Sequence, residues 1–149
     1  MLTAADIMTS EVITVRPETT VGELAELLAA HGIGGAPVLD DEDKLLGVVT
    51  ESDLIDQKKK IHIPTVITIL DSVIYLENPD KMEKEVRKMA GSTVADIFTA
   101  TVVSVAKDTP LDEIATIMAE KHIHTLPVVA NGKLIGVIGK RDIIKTLIP

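Results

Sequence analysis

Cysteine and tryptophan are missing from this chain, and tyrosine and phenylalanine occur once each. Without cysteine there is no disulfide, no thiolate metal ligand and no thiol nucleophile. Without aromatic platforms, binding of single-stranded nucleic acid loses its main stacking contact. No apolar run reaches the roughly 18 residues of a membrane span, and residues 1–5 lack the charged and apolar regions of a secretory signal. A soluble, cytoplasmic protein with no membrane insertion is the expectation. Basic residues are the minority, 15 against 23 acidic ones, and a net charge of -8 argues against a nucleic-acid partner.

What the chain has in quantity is aliphatic. With 46% hydrophobic residues and 1% aromatic ones, Ile, Val, Leu, Ala and Met must fill the interior of its 149 residues, the length of one domain. That domain is internally repeated. A-D-I-M-T at 5–9 returns as A-D-I-F-T at 95–99, and the same offset pairs Val12 with Val102, Ile33 with Ile123 and Pro37 with Pro127. After a turn at 40–43 the register slips by one, pairing Gly47 with Gly136 and Asp53 with Asp142. One residue lost from a hairpin loop explains the slip. The organisation is therefore a first repeat over 1–56, an insert over 57–91 and a second repeat over 92–149.

Each repeat predicts strand, helix, strand, hairpin, strand, helix. Short strands are expected at 12–15 and 102–105. Helices follow, starting at Thr19 or Thr20 in the first repeat and at Thr109 in the second, where Pro110 suits the first helical position and Asp112 completes a capping box. Gly32 is the expected stop of the first. The strands at 37–39 and 127–129 precede turns at 40–43 and at Asn131-Gly132, the latter a strong hairpin signal.

Within the insert, Lys58, Lys59 and Lys60 read as a solvated helix end in preference to a nucleic-acid patch. Residues 65–76 are apolar on nearly every helical face, and a second helix is expected over 80–89. These helices either cover the repeats or supply a subunit interface.

The most informative stretches are L-L-G-V-V-T-E-S-D-L-I at 45–55 and L-I-G-V-I-G-K-R-D-I-I at 134–144. Each runs from a buried strand into a helix start carrying an Asp. Such an Asp can accept hydrogen bonds from the vicinal hydroxyls of a ligand, while first-turn N–H groups face anions. A simpler reading also exists, since Thr50 and Asp53 form a capping box that needs no ligand. In the second repeat Gly139 cannot supply a side-chain cap, yet Asp142 is retained, which tips the balance toward a ligand. Lys140 and Arg141 occupy a first helical turn, where the dipole disfavours cations by a few tenths to about 1 kcal/mol each and a phosphate would reverse that preference. Glu51 and Ser52 hold the matching places in the first repeat, so two unequal clefts are expected: Asp53 with the fuller ribose pattern, Asp142 with the better charge for phosphate.

With D-I-M-T, H-G-I-G-G-A-P-V and G-V-V-T-E-S-D-L-I in the first repeat and matching segments at the same spacing in the second, the chain resembles the tandem CBS domain, or Bateman module, over 3–56 and 92–145. The resemblance implies an α/β (α+β) fold: two β-α-β-β-α repeats packed as a pseudo-two-fold pair with clefts for adenosyl ligands, often in disc-like homodimers. It implies that Asp53 and Asp142 hold ribose hydroxyls, assisted by Thr50 but not by its counterpart Gly139. Ile33, Gly34, Gly35, Ile123, His124 and Thr125 would approach the base or phosphates, with residues around Thr14 and Ser104 at the base. Each cleft would borrow from both copies.

His122 and His124 alternate, as two metal ligands could, but no third ligand is evident and no metal site is expected. Gly32 to Gly35 lack the Lys and Ser or Thr of a phosphate loop, and permit close approach of a base or of the facing repeat. No catalytic constellation emerges and no turnover is expected. The leading expectation is a stand-alone regulatory module that binds AMP, ADP, ATP or S-adenosylmethionine and signals to an effector protein on another chain. The alternative is an assembly protein with non-functional clefts that oligomerises through its repeats and the apolar insert.

Overall fold

The computed structural model describes residues 1–60, 92–100 and 103–148. The helices expected over 65–76 and 80–89 lie outside the described residues. In chain order the elements are α1 (Ala4–Ile7), α2 (Val21–His31), β1 (Gly35–Leu39), β2 (Leu45–Thr50), α3 (Glu51–Lys60), α4 (Val94–Ile97), α5 (Leu111–Lys121), β3 (Thr125–Ala130), β4 (Lys133–Gly139) and α6 (Lys140–Lys145). The architecture is the expected mixed one, with a two-stranded antiparallel sheet in each repeat.

The two hairpins share their irregularity as well as their register. The ladder shifts between Val38 and Leu39 in one and between Val128 and Val129 in the other. Asn131 and Gly132, at φ 52 and 78, close the second hairpin with the left-handed pair that a two-residue turn requires.

Among the described residues, the strands expected at 12–15 and 102–105 are reduced to single parallel bridges, Val15 with Val38 and Val105 with Val128. The cause is proline. Val15 donates to the Pro37 carbonyl and accepts from the Leu39 N–H, both at 3.0 Å. The next rung would need an N–H from Pro37, which has none, and Pro127 ends the second ladder in the same way.

Helix α2 starts after Thr20, whose hydroxyl accepts the Glu23 N–H at 3.1 Å, and stops at Gly32 with φ 61. Helix α5 departs from expectation. Its N-cap is Pro110, not Thr109, and Asp112 forms no capping box. The Thr109 hydroxyl turns back to accept the Ala106 N–H at 3.1 Å and its carbonyl accepts the Ala4 N–H at 2.9 Å, so its side chain does not cap the helix, which begins one residue late.

That last contact is part of an exchange between the repeats. Thr3 and Asp6 close a capping box around α1, as Thr93 and Asp96 do around α4. Helix α1 then docks on the second repeat, with Ala4 and Ala5 donating to Thr109 and Lys107. Helix α4 docks on the first, with Val94 and Ala95 donating to Thr19 and Pro17. The hydrophobic cores follow suit. Ala4 is fully buried among Ile114, Met118, Leu126, Val128 and Ile138, while Val94 is fully buried among Leu24, Leu28, Val38 and Val49.

Candidate functional site

In each repeat the hairpin's second strand runs directly into a helix, and the carboxylate three residues on turns back to the junction. Asp53 Oδ2 accepts the Thr50 N–H at 2.8 Å and the Thr50 hydroxyl at 3.3 Å. Asp142 Oδ2 accepts the Gly139 N–H at 2.8 Å. Gly139 has no hydroxyl to add, and the one that reaches Asp142 comes from the other repeat: Thr9 Oγ1 donates to Asp142 Oδ1 at 3.4 Å. A carboxylate offers about four lone-pair sites. Each Asp uses two of them within the protein and keeps about two, the number that a vicinal diol requires.

Both junctions open onto one groove of about 1040 Å³, lined by the two repeats together. The two clefts expected from the sequence thus run into one another. The Asp53 junction contributes Thr50, Ser52 and Asp53, and the Asp142 junction contributes Gly139, Lys140, Arg141 and Asp142. The segments ahead of the prolines supply Ile33, Gly34 and Gly35 from one side and Ile123, His124 and Thr125 from the other.

Thr14 and Ser104 do not line the groove; Ile13 and Val103 stand there instead. Side chains of extended backbone alternate, and burial of Val15 and Val105 in the cores fixes the phase one residue away from the expected positions. Thr14 borders a separate recess of about 360 Å³, with Ser10, Lys133 and Asp43.

Sequence reasoning missed Thr9 and Thr99, which bring each repeat's opening segment into the groove beside the other repeat's β-strand. Thr9 pairs with Val137, and Thr99 with Val48, each through two backbone hydrogen bonds of 2.9–3.1 Å. The repeated A-D-I-[MF]-T marks these residues, but only the exchange of α1 and α4 shows where they go.

The close approach at Gly35 is to the facing repeat. A Cβ there would lie 2.6 Å from Thr125 Oγ1 and 3.0 Å from Thr50 Cγ2. Glycine is required at this seam for lack of space.

Charge is distributed unevenly along the groove. A Cβ on Gly34 would meet the Glu51 carboxylate at 3.4 Å, so the acidic group lies over the backbone that precedes β1. The matching positions of the second repeat are His124 and Lys140. Arg141 reaches across to the first repeat, its Nη1 standing 4.0 Å from where a Cβ on Gly32 would be. Among the described residues the one ion pair is Arg16 with Asp43 at 2.8 Å, so the groove's charges are unpaired within that set. His31, His122 and His124 also line the groove, and among the described residues no three His, Asp or Glu side chains gather as a metal-ligand set.

Residues 4–60 and 94–149 match the family model of the CBS domain. The chain belongs to the CBS-domain family. Over 143 residues it is 32% identical to an inosine-5'-monophosphate dehydrogenase of Methanocaldococcus jannaschii, a match spanning 95% of this chain but 23% of that enzyme. The shared stretch is the CBS pair. It is also 31% identical over 150 residues to CBSX2, a chloroplastic CBS domain-containing protein of Arabidopsis thaliana, spanning 96% of this chain and 62% of that one. These relatives are therefore longer than the CBS pair they share with it.

Solved structures give the same picture. The crystal structure of CBSX2 in complex with AMP aligns with a TM-score of 0.73 and 28% identity, covering 99% of this chain and 96% of that one. The CBS-domain containing protein ATU1752 from Agrobacterium tumefaciens aligns with a TM-score of 0.76 and 26% identity, covering 98% and 93%. Among the described residues of this CBS pair, no helix is long and apolar enough to cross a membrane.

Proposed function

We propose that this CBS pair is a regulatory module that binds an adenosyl ligand in the inter-repeat groove and reports its occupancy to a protein on another chain. The observation that carries the reading is the pair of capped carboxylates, Asp53 and Asp142, each with acceptor capacity left for a ribose and both bordering a single groove. The AMP complex of CBSX2, similar over nearly the whole of this chain, supports an adenine nucleotide as the ligand class. In this reading Asp53 and Asp142 accept the ribose hydroxyls, with Thr50 and Ser52 beside the first and Gly139 at the second. The backbone at Ile33, Gly34, Gly35, Ile123 and Thr125 approaches the base, and Lys140, Arg141 and His124 face phosphate. The chain regulates and does not turn over a substrate.

A homodimer belongs to the same proposal. Ile55 and Ile144 occupy equivalent places on α3 and α6 and are 59% and 55% exposed, which favours a second copy over those helices. Signalling needs a ligand that binds two packings of the repeats or subunits unequally.

The test is thermal unfolding of ligand-free protein with AMP, ADP, ATP, S-adenosylmethionine and GTP. A ligand at 100 times its dissociation constant adds roughly 2.7 kcal/mol to the folded state, a shift of roughly 5–10 °C for a chain of this size. An adenosyl ligand that shifts the melt, with the shift lost in the Asp53→Ala, Asp142→Ala double variant, supports the reading. No shift with any of them, or a shift that survives the double substitution, removes it.

A further inference from the structure

We infer that the two ends of the groove take different chemical classes of adenosyl ligand: a nucleotide with a 5'-phosphate chain at Asp142, and an adenosyl group with no phosphate, neutral or cationic at its 5' substituent, at Asp53. This rests on the adenosyl reading of the groove and adds what each end accepts. The basis is the asymmetry of the side chains that share a wall with each carboxylate.

At the Asp53 end the place that His124 holds in the second repeat is taken by Gly34, and the Glu51 carboxylate lies over it, 3.4 Å from where a side chain would start. A phosphate entering that space would meet a like charge with no donor in the segment beyond backbone N–H groups. The same carboxylate suits an ammonium or sulfonium, and tolerates an uncharged substituent. At the Asp142 end the corresponding places hold His124 and Lys140. A phosphate there meets an imidazole and an ammonium without an ion-pair partner among the described residues.

Arg141 divides the two ends. It grows from the second repeat, immediately before Asp142, but its guanidinium stands beside Gly32 of the first repeat. Its counterpart across the pseudo-two-fold is Ser52, which cannot reciprocate with charge. A phosphate chain leaving a ribose on Asp142 toward the middle of the groove would run between Lys140 and Arg141. The remaining carboxylate of the lining is Glu11, two residues after Thr9, and it is exposed to solvent, as are Glu51, Lys140 and Arg141. What distinguishes the ends is therefore the Glu51 carboxylate against Gly34 at one, and His124 with Lys140 at the matching places of the other.

Calorimetric titration with two probes, ADP and adenosine, tests this. ADP is expected to bind once per chain, and adenosine to bind a second place in protein already saturated with ADP. The Lys140→Ala, Arg141→Ala variant should lose at least about tenfold in ADP affinity, the weight of one charge-assisted hydrogen bond, and keep its adenosine affinity within twofold. Glu51→Gln, which retains shape and removes charge, should admit a second ADP. Retained adenosine binding shows that each variant is folded. If ADP fills two equivalent places in the native protein, or its affinity is indifferent to both substitutions while adenosine still binds, the inference fails and the adenosyl reading stands. If ADP binds and adenosine finds no second place, the inference alone fails; if neither ADP nor adenosine binds the native protein, the adenosyl reading itself fails.

Discussion

Gly47 and Thr99 meet so closely that the Thr99 backbone carbonyl occupies the place where a side chain on Gly47 would begin, with the Phe98 ring 2.8 Å from the same point. Gly136 and Met8 mirror the contact across the pseudo-two-fold, but there the obstacle is the flexible Met8 side chain, with Cγ at 2.9 Å and Cβ at 3.2 Å. The two positions differ in what can yield. Overpacking a buried site costs typically about 1–3 kcal/mol. Gly47→Ala should fall at or above the top of that range, and Gly136→Ala nearer the bottom. Urea midpoints at constant slope measure both, and Met8→Ala should restore part of the loss in Gly136→Ala. Equal losses at the two glycines would count against backbone crowding as the cause.

Val94 belongs by sequence to the second repeat and by packing to the first. Truncation to Ala removes two buried methyl groups, about 1.5 kcal/mol of transfer free energy, to which the cavity left behind adds. Amide hydrogen exchange should rise first around Leu24, Val38 and Val49, and not around Ile114 and Leu126, its neighbours in sequence order. The reverse pattern would sink the exchanged-core description.

The Thr3 N–H, and secondarily its hydroxyl, hold the Asp6 carboxyl below the usual carboxylate range. A group whose folded pKa is lowered stabilises the fold above its unfolded value of about 3.9, and that contribution disappears as pH falls through the lower folded value. Asp40 is lowered likewise, by the Lys44 N–H first and the Glu42 N–H second. Asp6→Asn keeps a capping oxygen and removes the titration, so its urea midpoint should depend less on pH below about 4 than the native protein's. Identical acid limbs would contradict the assignment.

His122 ends α5 at φ 54, where its counterpart Gly32 ends α2 at φ 61. A left-handed residue other than glycine costs roughly 1–2 kcal/mol, partly offset by the lower backbone entropy of the unfolded chain. His122→Gly should therefore stabilise by about 0.5–1 kcal/mol, and Gly32→Ala should destabilise by about 1 kcal/mol. Thermal melts of the two variants moving the same way would refute this.

The repeat itself was plain in the sequence, because the A-D-I-[MF]-T segments and the strand-to-helix junctions at Asp53 and Asp142 are duplicated, while the Gly32 stop and the Asn131-Gly132 turn each carry their own local signal. The misplaced features depend on partners distant in sequence. Pro110 displaces Thr109 as cap because the Thr109 hydroxyl turns back to the Ala106 N–H while its carbonyl accepts from Ala4, a residue that no window around Thr109 contains. Among the described residues the expected strands are cut to single bridges at Val15 and Val105 by Pro37 and Pro127, whose missing N–H matters only once the parallel pairing is known. Alternation gives the spacing of a face and not its phase, so the sequence points to Thr14 where Ile13 lines the groove. Burial of Val15 supplies the phase. Thr3-x-x-Asp6 and Thr93-x-x-Asp96 did carry a readable capping signal for α1 and α4, though not the destination of either helix.

The crossed docking of α1 and α4 also orders events during synthesis. The interior formed by Leu24, Val38 and Val49 stays unsealed until Val94 has emerged from the ribosome, and Ala4 has nothing to dock on until the chain has grown past Thr109. Closure of both halves therefore waits on contacts of long sequence separation, the slow kind. A nascent chain released early would present an open aliphatic hole, which is what chaperones recognise and neighbouring chains stick to.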